Sequence, residues 1–271
     1  MPQRLLTALL IAPLVVLLIL FAPTWLFALA IAGIFLSGLW EWSRLAGMRN
    51  HPRRALLLAG AAALFAVLWI ERGTPLWPVL IAAGALWWLI ACCWLYRFAF
   101  AAAPTPENRN LKLVAGALAI VPAWMAAVAV HGSSPHGHGW TFLALAVVWA
   151  ADSGAYYSGR RFGRRKLAPA ISPGKTWAGV YGAFVAGAVV MLAGGWLLGV
   201  RDIRLAGLLL VAVCTVAASI VGDLFESLLK RHAQVKDSGT LFPGHGGMLD
   251  RLDSIFAAMP VFALGKWLLS L

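Results

Sequence analysis

Apolar residues run through most of this chain in long blocks, broken where Pro, Gly and charged residues gather. Nine blocks stand out: Leu5 to Phe21, Thr24 to Trp42, Ala55 to Ile70, Leu76 to Tyr96, Leu111 to Val130, Trp140 to Ser158, Thr176 to Val200, Leu205 to Phe225 and Leu252 to Leu271. Each reaches or approaches the roughly 20 residues that carry a helix across a hydrocarbon core of about 30 Å. A bilayer offers the backbone no water to bond with, so such blocks are expected to be helices. The pattern predicts an all-α polytopic membrane protein with nine transmembrane helices, five in residues 1–135 and four, with two polar loops, in 136–271. The first block has one flanking Arg4 and leads directly into the second, so it reads as a retained helix.

Basic residues orient these segments, because cytoplasmic loops carry an excess of Lys and Arg. A cytoplasmic N-terminus puts eighteen of the 22 basic residues on that side and only Arg72, Arg201 and Arg204 on the other, with Lys266 in the last span. The two longest polar loops, near 159–175 and 226–251, then emerge on one face, open to a cytosolic nucleotide.

Composition agrees with a lipid environment: 62% of residues are hydrophobic and 12% charged, where soluble domains carry about 25% charge. The net charge of +12 is spread over short loops, which fits anionic headgroups and phosphorylated substrates better than nucleic acid. Cys92, Cys93 and Cys214 all fall in apolar blocks without metal or disulfide spacing, and read as lipid-facing or packing residues. Gly179, Ala183 and Gly187 form a small-residue stripe that lets a neighbouring helix approach closely. Trp25, Trp40, Trp42, Trp140 and Trp267 lie near span ends and read as interface anchors.

Acidic residues number only ten, and Asp152, Asp223, Glu226, Asp237, Asp250 and Asp253 all fall in the C-terminal half. A carboxylate in a membrane span costs about 2.5–3.5 kcal/mol, so its presence points to function. Ser219, Asp223, Ser227 and Lys230 share one helical face, with Glu226 three residues beyond Asp223. Asp250 and Asp253 share a face at the start of the last segment, with Arg251 beside them. Two carboxylate-bearing helix ends joined by a loop can converge on a hard cation such as Mg²⁺. The connecting loop holds Lys230-Arg231, Lys236-Asp237 and Pro243-Gly244-His245-Gly246-Gly247, whose glycines allow backbone N–H groups to approach phosphate oxygens.

A second polar stripe, Asp152, Tyr156 and Arg160 at four-residue intervals, leads towards the same face. Lys175 and Thr176 open the seventh segment, where free N–H groups and the helix dipole favour an anion. Pro173-Gly174-Lys175-Thr176 is not a P-loop: the earlier glycine would fall at Pro169, and no strand is expected in an all-helical chain. His131, His136 and His138 have the composition of a zinc site, but on the outer face they read as a solvated Gly-rich loop.

The run from Ser227 through Lys230, Arg231, Lys236, Asp237, Gly239, Pro243, His245, Gly246, Gly247, Asp250 and Arg251 to Asp253 resembles the signature segment of the phosphatidate cytidylyltransferase (CDP-diacylglycerol synthase) family. A second block, from Asp152, Tyr156 and Arg160 through Lys166, Ser172 and Pro173 to Lys175 and Thr176, resembles that family too, and together they span about the C-terminal 45% of the chain. Ala178 departs from the family pattern, where a polar residue is common. The resemblance implies a nucleotidyltransferase of a bacterial inner membrane, with its active site facing the cytoplasm. It would join CTP to phosphatidic acid with release of pyrophosphate, use Mg²⁺, taken as two divalent cations, and work as a homodimer.

On that reading Asp223 and Asp250 are the principal metal ligands, with Asp253 and Glu226 supporting them. Lys230, Arg231, Lys236 and Arg251 hold the triphosphate or the lipid phosphate. Asp152, Tyr156, Arg160, Lys166, Ser172, Lys175, Thr176, Ser227, Asp237, His245, Gly246 and Gly247 complete the substrate site. A CTP-dependent polyisoprenoid or phytol kinase is the nearest alternative, and would release CDP. A transporter is the alternative from another class, and would accumulate substrate without nucleotide turnover.

Overall fold

A computed structural model describes residues 13–241 and 246–271. Among these residues the order is α1 (13–21), α2 (Thr24–Leu45), α3 (His51–Ile70), α4 (Leu76–Tyr96), α5 (Pro106–His131), α6 (Gly137–Phe162), β1 (Lys166–Ala168), β2 (Ser172–Thr176), α7 (Trp177–Leu197), α8 (Arg204–His232) and α9 (Leu249–Leu268). Each expected apolar block corresponds to a helix among the described residues, the first of them from residue 13 onward, since its residues 5–12 lie outside the described range. Among the described residues six helices, α2, α3, α4, α5, α7 and α8, are long and apolar enough to cross a bilayer.

Several helices outrun their apolar blocks, because polar residues at a membrane surface continue a helix that is capped beyond it. α5 starts at Pro106 rather than Leu111: Thr105 caps it by accepting from the Asn108 N–H at 3.3 Å, and Pro106 supplies a φ suited to a first turn. α8 continues to His232, seven residues past the expected end at Phe225. At 29 residues it is about 43 Å long, so its last turns stand clear of an apolar layer.

The architecture is all-helical, as expected, with one small addition. Residues 166–176 form a small antiparallel hairpin, with Lys166 opposite Thr176 and Ala168 opposite Ser172. Its Ile171 is buried, and Arg231 of α8 donates from Nε to the Ile171 carbonyl at 3.1 Å, pinning the hairpin to the bundle. A strand therefore does contain Pro173-Gly174-Lys175-Thr176, against expectation. Those residues are the strand itself, not a loop wrapped after one, so the P-loop remains excluded.

The core is built around α9, which packs against α2, α4, α5, α6 and α8. α3 and α7 are peripheral and present apolar side chains such as Leu56, Val185 and Val189 outward. Phe225 is enclosed by Trp42, Trp87, Trp88 and Trp94, with ring centroids 5.3 to 6.0 Å away. Trp42 and Trp140 are thus core residues, not interface anchors: the Trp42 indole N–H donates to the Lys112 carbonyl at 2.7 Å. Trp25 is exposed, as an anchor would be, and so are the three cysteines.

The histidine loop is also other than expected. His131 is buried, bonded to Thr24 Oγ1 at 3.1 Å and the Ile19 carbonyl at 3.0 Å, and its ring stacks between Phe27 and His138. These rings pin α5 and α6 to α1 and α2.

Candidate active site

Close contact between α6 and α7 creates the first half of the site. A Cβ at Gly182 would collide with the Gly154 carbonyl and Ser158, and one at Gly154 with the Gly182 carbonyl. The expected stripe behaves likewise, with Gly179 against the Ala155 carbonyl and Gly187 against Val216. At the head of α7 the Thr176 hydroxyl caps the helix, accepting from the Gly179 N–H at 3.2 Å.

Between α6, β2, α7 and α8 lies a cleft of about 540 Å³, a size suited to a small ligand. Its polar lining comprises Asp152, Tyr156 and Arg160 from α6, Lys175 and Thr176 from β2, and Ser219 and Asp223 from α8. Arg160 Nη1 donates to the Tyr156 hydroxyl at 3.1 Å. Lys175 Nζ meets Asp223 Oδ2 at 2.5 Å, while Asp223 Oδ1 has a long contact, 3.5 Å, from the Ser227 hydroxyl. Asp152 lies in the electrostatic field of both Asp223 and Lys175. Two carboxylates and two cations thus face one space.

The second half of the site is a knot between the ends of α8 and α9. Gly222 lets the helices touch, since a Cβ there would strike the Asp253 carbonyl. Lys230 Nζ bridges Glu226 Oε2 at 2.5 Å and Asp250 Oδ1 at 2.7 Å. Asp250 Oδ2 accepts from the Ser238 N–H at 3.1 Å, the Ser238 hydroxyl at 2.8 Å and the Gly247 N–H at 2.7 Å. Glu226 Oε1 is buried and has no hydrogen-bond partner among the described residues. Asp253, buried against Gly222, accepts from the Ser254 N–H at 2.6 Å and feels the charges of Asp223, Lys175 and Lys230. Asp253 thus stands within the electrostatic reach of both the cleft pair and the knot.

The remaining expected residues are spread around these centres. Lys166 and Ser172 lie on the hairpin outside the cleft lining, and Arg231 is engaged with that hairpin. Lys236, Asp237 and Arg251 are exposed at the rim of the knot. Gly246 has φ +83° and Gly247 spends its N–H on Asp250, so these glycines shape the turn around that carboxylate. His245 lies outside the described residues.

Among the described residues no three His, Cys, Asp or Glu side chains converge on a single point. The donors are nonetheless of the right kind for a hard cation: carboxylate oxygens, one of which, on Glu226, is buried and unpartnered among the described residues. Magnesium is commonly held by one or two carboxylates together with substrate phosphates, and Asp223, with Oδ1 lightly engaged, fits that mode.

Sequence reasoning missed Glu41, Arg44 and Ser238. Glu41, in α2, accepts from the Ser238 hydroxyl and the Leu249 N–H, each at 2.8 Å, and Arg44 donates to the Ser238 carbonyl at 2.5 Å. The cost of placing an acid near the end of an apolar span applies to Glu41 as much as to Asp223, and was the signal available.

The chain matches a family model described as the cytidylyltransferase family over residues 2–268. It is 39% identical to a phosphatidate cytidylyltransferase of Pseudomonas aeruginosa, over 98% of this chain and 96% of that protein. It is 38% identical to one of Haemophilus influenzae, over 96% of each chain. With one of Thermotoga maritima the identity is 44%, over 44% of this chain and 46% of the relative. The likeness thus extends well beyond the C-terminal signature, into the helices that carry Glu41 and Arg44.

Proposed function

Since the chain belongs to the cytidylyltransferase family, we propose that the α6–α8 cleft and the α8–α9 knot are the two halves of one active site. The protein is an enzyme, a nucleotidyltransferase that transfers CMP from CTP to phosphatidic acid, giving CDP-diacylglycerol and pyrophosphate. The Lys175–Asp223 pair carries the site assignment, because it sets a cation and a carboxylate in the lining of a cleft where polar residues of α6 and α8 meet.

The phosphate monoester of phosphatidate attacks the α-phosphorus of CTP. A new P–O bond forms as the bond to the β-phosphate oxygen breaks, and pyrophosphate leaves with the electron pair. A phosphate monoester is already anionic at neutral pH, so no general base is needed. What the protein must do is hold two anions in line and offset the charge that grows on the leaving group. Arg160 and Lys175 supply positive charge in the cleft, and Lys230 supplies it between Glu226 and Asp250. Mg²⁺ held by Asp223 and Asp250, with Glu226 and Asp253 in support, would add charge neutralisation at the phosphates. Lys230, 2.7 Å from Asp250 Oδ1, would share that carboxylate with the ion and present its remaining N–H groups to a phosphate.

The basic loops support nine spans with a cytoplasmic N-terminus, a site at the cytoplasmic face of a bacterial inner membrane, and access for cytosolic CTP. Family resemblance supports a homodimer. The decisive experiment incubates purified protein with labelled CTP, phosphatidic acid and Mg²⁺. Expected products are a lipid-extractable cytidine nucleotide and an equal amount of pyrophosphate. Release of CDP instead would identify a kinase and overturn the reading.

A further inference from the structure

We infer that Glu41 and Arg44 of α2 are positioning residues for the reaction, forming a clamp that sets the Asp250 carboxylate through Ser238. The inference rests on the proposal that Asp250 belongs to the active site. The two side chains stand three residues apart on one face of α2, and both grip Ser238, which is fully buried nearly two hundred residues later. Arg44 holds its carbonyl and Glu41 its hydroxyl, while its N–H is left for Asp250.

The Ser238 hydroxyl lies 2.8 Å from both Glu41 Oε2 and Asp250 Oδ2. It carries one proton and can donate to only one of them at a time. Backbone N–H groups hold the other: Leu249 for Glu41, Gly247 and Ser238 itself for Asp250. Glu41 therefore fastens both arms of the turn, at Ser238 and at Leu249, and the position of Asp250 follows from both.

The glycines of the turn fit the same explanation. A Cβ at Gly239 or at Gly247 would collide with the Glu41 carboxylate. Their lack of a side chain admits the acid from α2.

The test uses the full-length protein in mixed micelles, with two readouts: kcat and KM for CDP-lipid formation, and hydrogen exchange of the 246–250 amides. Glu41→Ala is expected to lower kcat by about 10- to 100-fold, the usual cost of losing an outer-shell orienting group, with KM for phosphatidate changed less than about twofold. Exchange at Gly247 and Leu249 should quicken. Glu41→Gln keeps a carbonyl oxygen that can accept from Ser238 and Leu249, and should restore kcat to within about threefold of wild type. Ser238→Ala should resemble Glu41→Ala, and the double variant should be no worse than the worse single one, because the two act as a unit.

Unchanged exchange in Glu41→Ala overturns the clamp. Faster exchange with wild-type kcat, or Glu41→Gln as impaired as Glu41→Ala, overturns its role in the reaction. Should wild-type protein form no CDP-lipid, the proposed function fails, and hydrogen exchange still decides whether the clamp exists.

Discussion

Lys230→Met separates the two tasks of a single side chain. Lys230 is 12% exposed and its partner Glu226 is 1% exposed, with Nζ 2.5 Å from Glu226 and 2.7 Å from Asp250. Two such contacts are each worth about 6 kcal/mol of gross attraction at an effective permittivity near 20, most of it offset by desolvation. Removing the cation leaves an uncompensated buried carboxylate, which costs about 3–5 kcal/mol. At a few degrees per kcal/mol for a chain of this size, the thermal midpoint should fall by about 10 °C. The assay is fluorescence-detected size-exclusion chromatography after heating, run beside CDP-lipid formation. Adding Glu226→Gln removes the stranded charge, so the double variant should recover more than half of the lost midpoint while its turnover stays low. A Lys230→Met protein as heat-stable as wild type, or a double variant no better than the single, would refute the account of Lys230 as the cation that stabilises Glu226.

Other outcomes follow from the same geometry. Asp223→Asn should cut turnover at least about 100-fold, the scale of removing a group that stabilises transition-state charge, while the protein elutes as a single folded species; near-normal Mg²⁺-dependent activity would remove Asp223 from the site. Phe225→Ala empties a ring-sized space among Trp42, Trp87, Trp88 and Trp94, and should cost about 3–5 kcal/mol, read as loss of thermal stability. Gly182→Val should drive α6 from α7 and lower both stability and activity, by about 1–3 kcal/mol in stability, because its Cβ meets the Gly154 carbonyl and Ser158.

Helix positions were legible because a hydrocarbon solvent demands long apolar runs, and those runs mark Thr24–Leu45 or Leu76–Tyr96 without ambiguity. The polar stripe on α6 was legible from spacing alone: Asp152, Tyr156 and Arg160 do line one cleft with Lys175 and Asp223. The hairpin at 166–176 was not, since five extended residues among prolines and basic side chains carry no period to detect. The burial of Trp42 was also hidden, because a tryptophan at a span end reads as an anchor unless the partner carbonyl, here that of Lys112, is known. Glu41 escaped for a related reason. Its partners lie nearly two hundred residues away, and spacing arguments reach only along one helix.

Charge distribution among the helices follows from which of them meet lipid. α6 and α9 fall outside the six most membrane-like helices, and they carry Asp152, Arg160, Asp250 and Asp253. α9 is surrounded by α2, α4, α5, α6 and α8, so its side chains face protein rather than hydrocarbon. A helix shielded in this way need not be apolar; it needs a partner for each charge, which Lys230, Ser238 and Gly247 provide for Asp250. The shielding helices bear the hydrophobic burden instead, and two of them, α2 and α8, carry Glu41, Arg44, Glu226 and Lys230 towards their C-terminal ends. Polarity is thus concentrated where neighbouring helices replace lipid, and the chain can hold a buried ionic array without giving up the long apolar runs that suit it to a membrane.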